Sequence, residues 1–87
     1  PNPFNPVSRI TFGLPVNTYV QLAVYDITGR KIEVLHLDKY MAAGFHSVEW
    51  NANNLSAGIY LLRIIAGDLN AGSGRGFVDT KKLVLVK

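Results

Sequence analysis

The sequence predicts an all-β fold, an antiparallel sandwich of about six to seven strands. Three observations carry this. Apolar residues alternate with period two in segment after segment. Turn chemistry built from Gly, Pro, Asn and Asp separates these segments at spacings of roughly 8–14 residues. Helical periodicity is almost absent.

Pro1, Pro3 and Pro6 cannot donate to a ladder, so residues 1–7 read as a Pro-rich, extended lead-in from an upstream domain. From Ser8 to Leu14, Ile10, Phe12 and Leu14 alternate with Arg9, Thr11 and Gly13. Pro15-Val16-Asn17 is turn chemistry. The second strand, Thr18 to Asp26, places Val20, Leu22 and Val24 on one face and Tyr19, Gln21, Ala23 and Tyr25 on the other. Asp26-Ile27-Thr28-Gly29 is the next turn: Asp26 accepts local backbone N–H groups, and Gly29 takes a positive φ.

The third strand, Arg30 to Leu37, is irregular. Ile32 and Val34 share one face and Leu35 and Leu37 the other, which calls for a bulge or burial on both sides. Residues 38–44 read as a connection that ends at Gly44. Asp38 to Ala43 is the best helix candidate, too short to be stable alone. Phe45 to Asn51 is the fourth strand, with His46, Val48 and Trp50 on one face. Turns at 51–54 and at Ser56-Ala57-Gly58 follow. In the fifth, Ile59 to Ala66, Tyr60, Leu62 and Ile64 oppose Leu61, Arg63 and Ile65. Both faces are largely apolar, as expected of a central strand. Gly67 to Gly76 is a Gly- and Ser-rich loop, and Phe77 to Val86 is the final strand.

At 87 residues the chain suits one domain. A chain this short buries roughly 60–65% of its unfolded surface, so its core must be efficient. There is no cysteine to staple it, but 48% of residues are apolar, and Trp50 is the largest core candidate. The net charge of +3 comes from scattered Lys and Arg, not from the stripe that a nucleic-acid binder displays. No apolar run approaches the ~20 residues of a membrane-spanning helix. The abrupt start at Pro1-Asn2-Pro3 reads as a module cut from a longer protein.

Chemistry is hard to find. His36 and His46 lie on separate strands without a partner at metal-ligand spacing. No pair among Asp26, Glu33, Asp38, Glu49, Asp68 and Asp79 stands out as an acid/base dyad. Residues 51–54 with Asp38 offer oxygens to calcium but lack the spacing of a calcium loop. Gly72-Ser73-Gly74-Arg75-Gly76 lacks the following helix that a phosphate loop requires. Neither enzyme activity nor a cofactor is expected. Tyr19 and Tyr25, with Tyr40 and Phe45 near in sequence, suggest a carbohydrate platform as a second reading; aromatics of a small sandwich more often serve its core.

Several motifs together resemble a known family. Pro1-Asn2-Pro3-Phe4-Asn5-Pro6, Ile10-Thr11-Phe12 and Val24-Tyr25-Asp26-Ile27-Thr28-Gly29-Arg30 are similar to the type A C-terminal sorting domain of the type IX secretion system. So are Ala43 to Asn51, Leu55 to Ile64, and the ending Lys81-Lys82-Leu83-Val84-Leu85-Val86-Lys87. The resemblance covers essentially the whole chain, in order. The immunoglobulin-like domain of flagellar hook-capping proteins is a close relative by pattern. The loop from Gly67 to Gly76 is longer than the family's usual hairpin.

The resemblance implies an immunoglobulin-like sandwich that directs an exported cargo protein from the periplasm across the outer membrane, to the cell surface or medium. Its implied partners are an upstream cargo domain, a secretion shuttle and a sortase. The expected recognition residues are Lys81, Lys82, Leu83, Val84, Leu85, Val86 and Lys87; Asp26, Gly29, Gly44, Trp50, Gly58 and Tyr60 are expected to shape turns and core. The alternative is an accessory structural module, binding carbohydrate or protein, in a surface enzyme or a hook-capping-like protein.

Overall fold

In the computed structural model, which describes residues 7–67 and 76–86, the alternating segments form strands. They are β1 (Val7–Leu14), β2 (Thr18–Asp26), β3 (Lys31–Met41), β4 (Gly44–Asn51), β5 (Gly58–Ala66) and β6 (Phe77–Leu85). β1 pairs with β4 in a two-stranded sheet, and the other four pair in the order β3-β2-β5-β6. All pairings are antiparallel. The two sheets form a six-stranded sandwich among the described residues.

The alternation explains which faces meet. Ile10, Phe12 and Leu14 of β1 and Trp50 of β4 turn inward from the small sheet. Val20, Leu22 and Val24 of β2 and Tyr60, Leu62, Ile64 and Ala66 of β5 turn inward from the large one. The registers agree: Leu22 stands opposite Ile64, and Val24 opposite Leu62. β5 lies between β2 and β6, the central position its two apolar faces predict. Buried side chains of this size contribute about 1.5–3 kcal/mol each before ordering entropy is counted.

Trp50 ties the sheets together. It is 1% exposed, and its ring meets the ring of Tyr60 edge to face with centroids 5.5 Å apart. The Tyr60 hydroxyl donates to the Ser56 carbonyl at 2.7 Å. One side chain thus holds the crossover from β4 to β5 while it packs on the other sheet. No described group accepts from the buried Trp50 Nε1.

The structure corrects the reading of residues 30–44. β3 does not stop at Leu37, and Asp38 to Ala43 is neither connection nor helix; the strand runs to Met41. Its pairing with β2 shifts register three times, between Val20 and Leu22, Leu22 and Ala23, and Val24 and Tyr25. Three residues of β2 (Val20 to Leu22) stand against four of β3 (His36 to Lys39), and Asp38 lies in this bulge with φ 58°. Aspartate tolerates that region better than most residues, so the strand resumes beyond it. The shifts also overturn the expected faces. Ile32 and Leu35 pack together against the core, whereas Val34 and Leu37 are exposed.

Two substitutions test the inter-sheet contact. Trp50→Ala should lower unfolding free energy by about 3–5 kcal/mol, because a large aromatic is lost from a packed site. Trp50→Phe should cost much less, since it keeps a ring and removes a buried donor without a described partner. Urea unfolding with unchanged slope measures both. A Trp50→Ala curve superimposing on the parent's would contradict this account.

Candidate functional site

β6 is an edge strand, paired on one side with β5 and on the other with no described strand. Its register sorts the expected recognition residues into two sets. Lys81, Leu83 and Leu85 stand opposite Leu62, Tyr60 and Gly58, so they take the face turned toward the core. Leu85 is buried and Leu83 half-buried. Lys82 and Val84 stand opposite Leu61 and Ile59, on the outer face. Val84 is 60% exposed, and Val86, just past the strand, 78%. Lys87 lies outside the described residues.

Lys81 is more than a solubilising flank. Its Nζ donates to the Thr11 carbonyl of β1 at 3.1 Å, crossing from one sheet to the other. An inward-directed charge on an edge strand also discourages that edge from pairing with another chain. Lys81 and Lys82, adjacent in sequence, therefore have different surroundings.

The outer face of the large sheet is only partly polar. In one row Lys31, Tyr25, Leu61 and Lys82 lie side by side across β3, β2, β5 and β6. The next row holds Val34, Ala23, Arg63 and Thr80, and the one beyond holds Gln21, Ile65 and Val78. Lys31 Nζ sits 5.9 Å from the centre of the Tyr25 ring. In the sequence these cations look scattered; strand order alone aligns them.

The other candidates come apart. Tyr19 and Tyr40 meet edge to face at 5.0 Å beside Pro15, Val16 and Gly67. Tyr25 is six residues further along β2, and Phe45 lies on the other sheet against Gly13, so the expected aromatics form no common platform. Asn51, Asn53 and Asn54 line a concavity with Glu33, whereas Asp38 lies beside Tyr19 and Gln21. The structure therefore does not bring Asp38 to the asparagines. His46 Nε2 is 2.7 Å from the Ala42 carbonyl oxygen. Among the described residues, no three of His, Asp and Glu group as metal ligands would. Residues 72–75 of the glycine-rich stretch lie outside the described residues, and a strand follows Gly76.

Comparison with known proteins supplies the deciding observation. Residues 1–75 match the family described as the secretion system C-terminal sorting domain. The chain belongs to that family. No curated protein and no solved structure matches it. The matched span stops just short of β6, so it is narrower than the whole-chain resemblance of the motifs. A type IX sorting domain marks an upstream cargo for export across the outer membrane, to the cell surface or the medium, and is recognised by the secretion machinery. The family is not a catalytic one, and the accessory-module alternative is not favoured.

The sorting domain's best-defined turn lies at Asp26. Its Oδ1 accepts from the Thr28 hydroxyl at 2.6 Å, the Thr28 amide at 2.9 Å and the Arg30 amide at 3.0 Å. Oδ2 lies 3.3 Å from Arg30 Nε. The Gly29 amide donates to the Asp26 carbonyl at 3.0 Å, and Gly29 has φ 90°, a conformation that suits glycine. Gly44 and Gly58 open β4 and β5.

The Thr28 hydroxyl first, then the Arg30 amide, hold the Asp26 carboxyl below its ordinary value. A carboxyl depressed by folding stabilises the fold above its unfolded pKa, and that contribution fades as pH falls toward the folded value. Stability should therefore fall as pH drops below about 4. Asp26→Ala should lower stability at neutral pH and flatten this acid limb, as read from melting temperature against pH. An acid limb as steep in Asp26→Ala as in the parent would assign it to other carboxylates.

Proposed function

We propose that the chain is one non-catalytic domain, that its lead-in ends where β1 begins at Val7, one residue earlier than the sequence suggests, and that the secretion machinery reads its last strand in the folded state. A shuttle protein engages the domain in the periplasm, and a sortase then removes it as the cargo reaches the surface. The carrying observation is the division of β6. Lys81, Leu83 and Leu85 hold the strand to the sandwich, which leaves Lys82, Val84 and Val86 as the described residues offered to a partner. An exposed edge carrying apolar side chains and a cation suits docking by a neighbouring strand or groove.

β1 begins and β6 ends at the same end of the sandwich. Val7 stands opposite Asn51, the crossover leads from there to Gly58, and Gly58 stands opposite Leu85. The cargo side and the proposed recognition strand are therefore neighbours, as suits a domain that must be read and then severed from its cargo.

The test uses residues 1–87 fused behind a reporter with a signal peptide, in a host bearing the secretion system. Lys82→Glu with Val84→Ser should keep the domain folded, since both side chains face outward, and should cut exported reporter about ten-fold through loss of docking. Lys81→Met should lower melting temperature slightly and leave export near the parent's. Parental export from the folded double variant would overturn the assignment of the terminal strand.

A further inference from the structure

We infer that the outer face of the four-stranded sheet is a second docking surface, and that it fits a folded protein whose contact patch is apolar and carries carboxylates. The inference rests on the sorting reading and extends it from the terminal strand to β2, β3 and β5.

The face combines three features. Its apolar members are contiguous: Tyr25 and Leu61 stand side by side, Ile59 stands beside Val84, Ile65 beside Val78, and Val34 beside Ala23. Ile59, Val78 and Val34 are each close to half exposed although they lie within paired strands. Such surface is covered in service or favours aggregation. The same rows also hold Lys31, Arg63 and Lys82 and contain no carboxylate. The acidic side chains of these strands lie elsewhere. Asp26 is bound in its turn with Arg30, Glu33 faces the concavity beside Asn51, and Asp79 stands opposite Ile64 on the core-facing side. Asp38 borders the face at its far edge, beside Gln21 and Tyr19 and away from the rows of Lys31, Lys82 and Arg63.

The charge decides the occupant. Lys31 and Lys82 end one row, about 14 Å apart at normal strand spacing, and Arg63 lies in the next. A second copy on the same face would press cations against cations, and like charges repel most strongly when water is excluded between them. A partner with carboxylates set around an apolar centre meets both features. Arg63 is the natural anchor: it lies on the central strand β5 between Ala23 and Thr80, and among the described residues it has no ion-pair partner. A planar guanidinium suits such a carboxylate better than a lysine does.

The experiment uses the reporter fused to residues 1–87 and leaves β6 intact. Lys31→Glu with Arg63→Glu should fold, as judged by thermal melting, yet reduce export at least about ten-fold through like-charge repulsion. Arg63→Lys should lose part of this and retain more export than the reversal. Arg9→Glu with Lys39→Glu changes net charge equally away from this face and should export as the parent does. Should Lys31→Glu with Arg63→Glu fail to fold, Arg63→Gln carries the same test. Parental export from a folded reversal variant, with the parent exported, overturns this face alone. Retention of the parent itself overturns the sorting reading beneath it. Binding of purified residues 1–87 to phosphatidylcholine–phosphatidylglycerol vesicles, abolished by Arg63→Glu, would assign the face to a membrane surface and overturn the protein partner.

Discussion

The contact between Trp50 and Tyr60 is the joint on which the domain depends. A two-stranded sheet is marginal alone. Here β1 and β4 persist because their inner face packs on the larger sheet, and Trp50 is the largest of their fully buried side chains. Tyr60 answers it from β5 and uses its hydroxyl to hold the crossover at Ser56. Without a disulfide, a domain with about 5–15 kcal/mol of stability has little reserve should that joint be lost. The proposed recognition strand inherits this dependence, because Tyr60 is also the pairing partner of Leu83.

A domain read from outside must expose what is read without inviting its own copies. β3 is broken by three register shifts, which leaves it a poor template for a further strand. β6 is regular, and its protection is an inward Lys81 that also clips the sheets together through Thr11. The outer sheet face carries cations among its apolar side chains, which repel a like surface and attract an acidic one. In the proposed reading, the same residues meet both exposure and specificity.

Much of this was legible in the sequence. The alternations in Ile10-Phe12-Leu14, Val20-Leu22-Val24 and Tyr60-Leu62-Ile64 placed β1, β2 and β5 and their buried faces correctly, because period two has one geometric meaning on a regular strand. Asp26 and Gly29 announced their turn through side-chain chemistry that acts over four residues. β3 was not legible in the same way. Each bulge resets the alternation, so Ile32 and Leu35, three apart, come to share the core side. Asp38 carries no local sign that a strand continues through it. Nor could the sequence tell Lys81 from Lys82, or align Lys31 with Lys82: both depend on strand order, a property of the whole sheet.

In the proposed reading the sorting signal is a surface of the folded sandwich and not a linear tag. The most direct measurement follows export of a reporter carrying Trp50→Ala in the domain, at temperatures below and above that variant's melting point. All outer-face and β6 residues stay unchanged in sequence. Export that falls with the folded fraction, while the parent's stays constant, is the predicted result. Undiminished export from the unfolded variant would contradict the account.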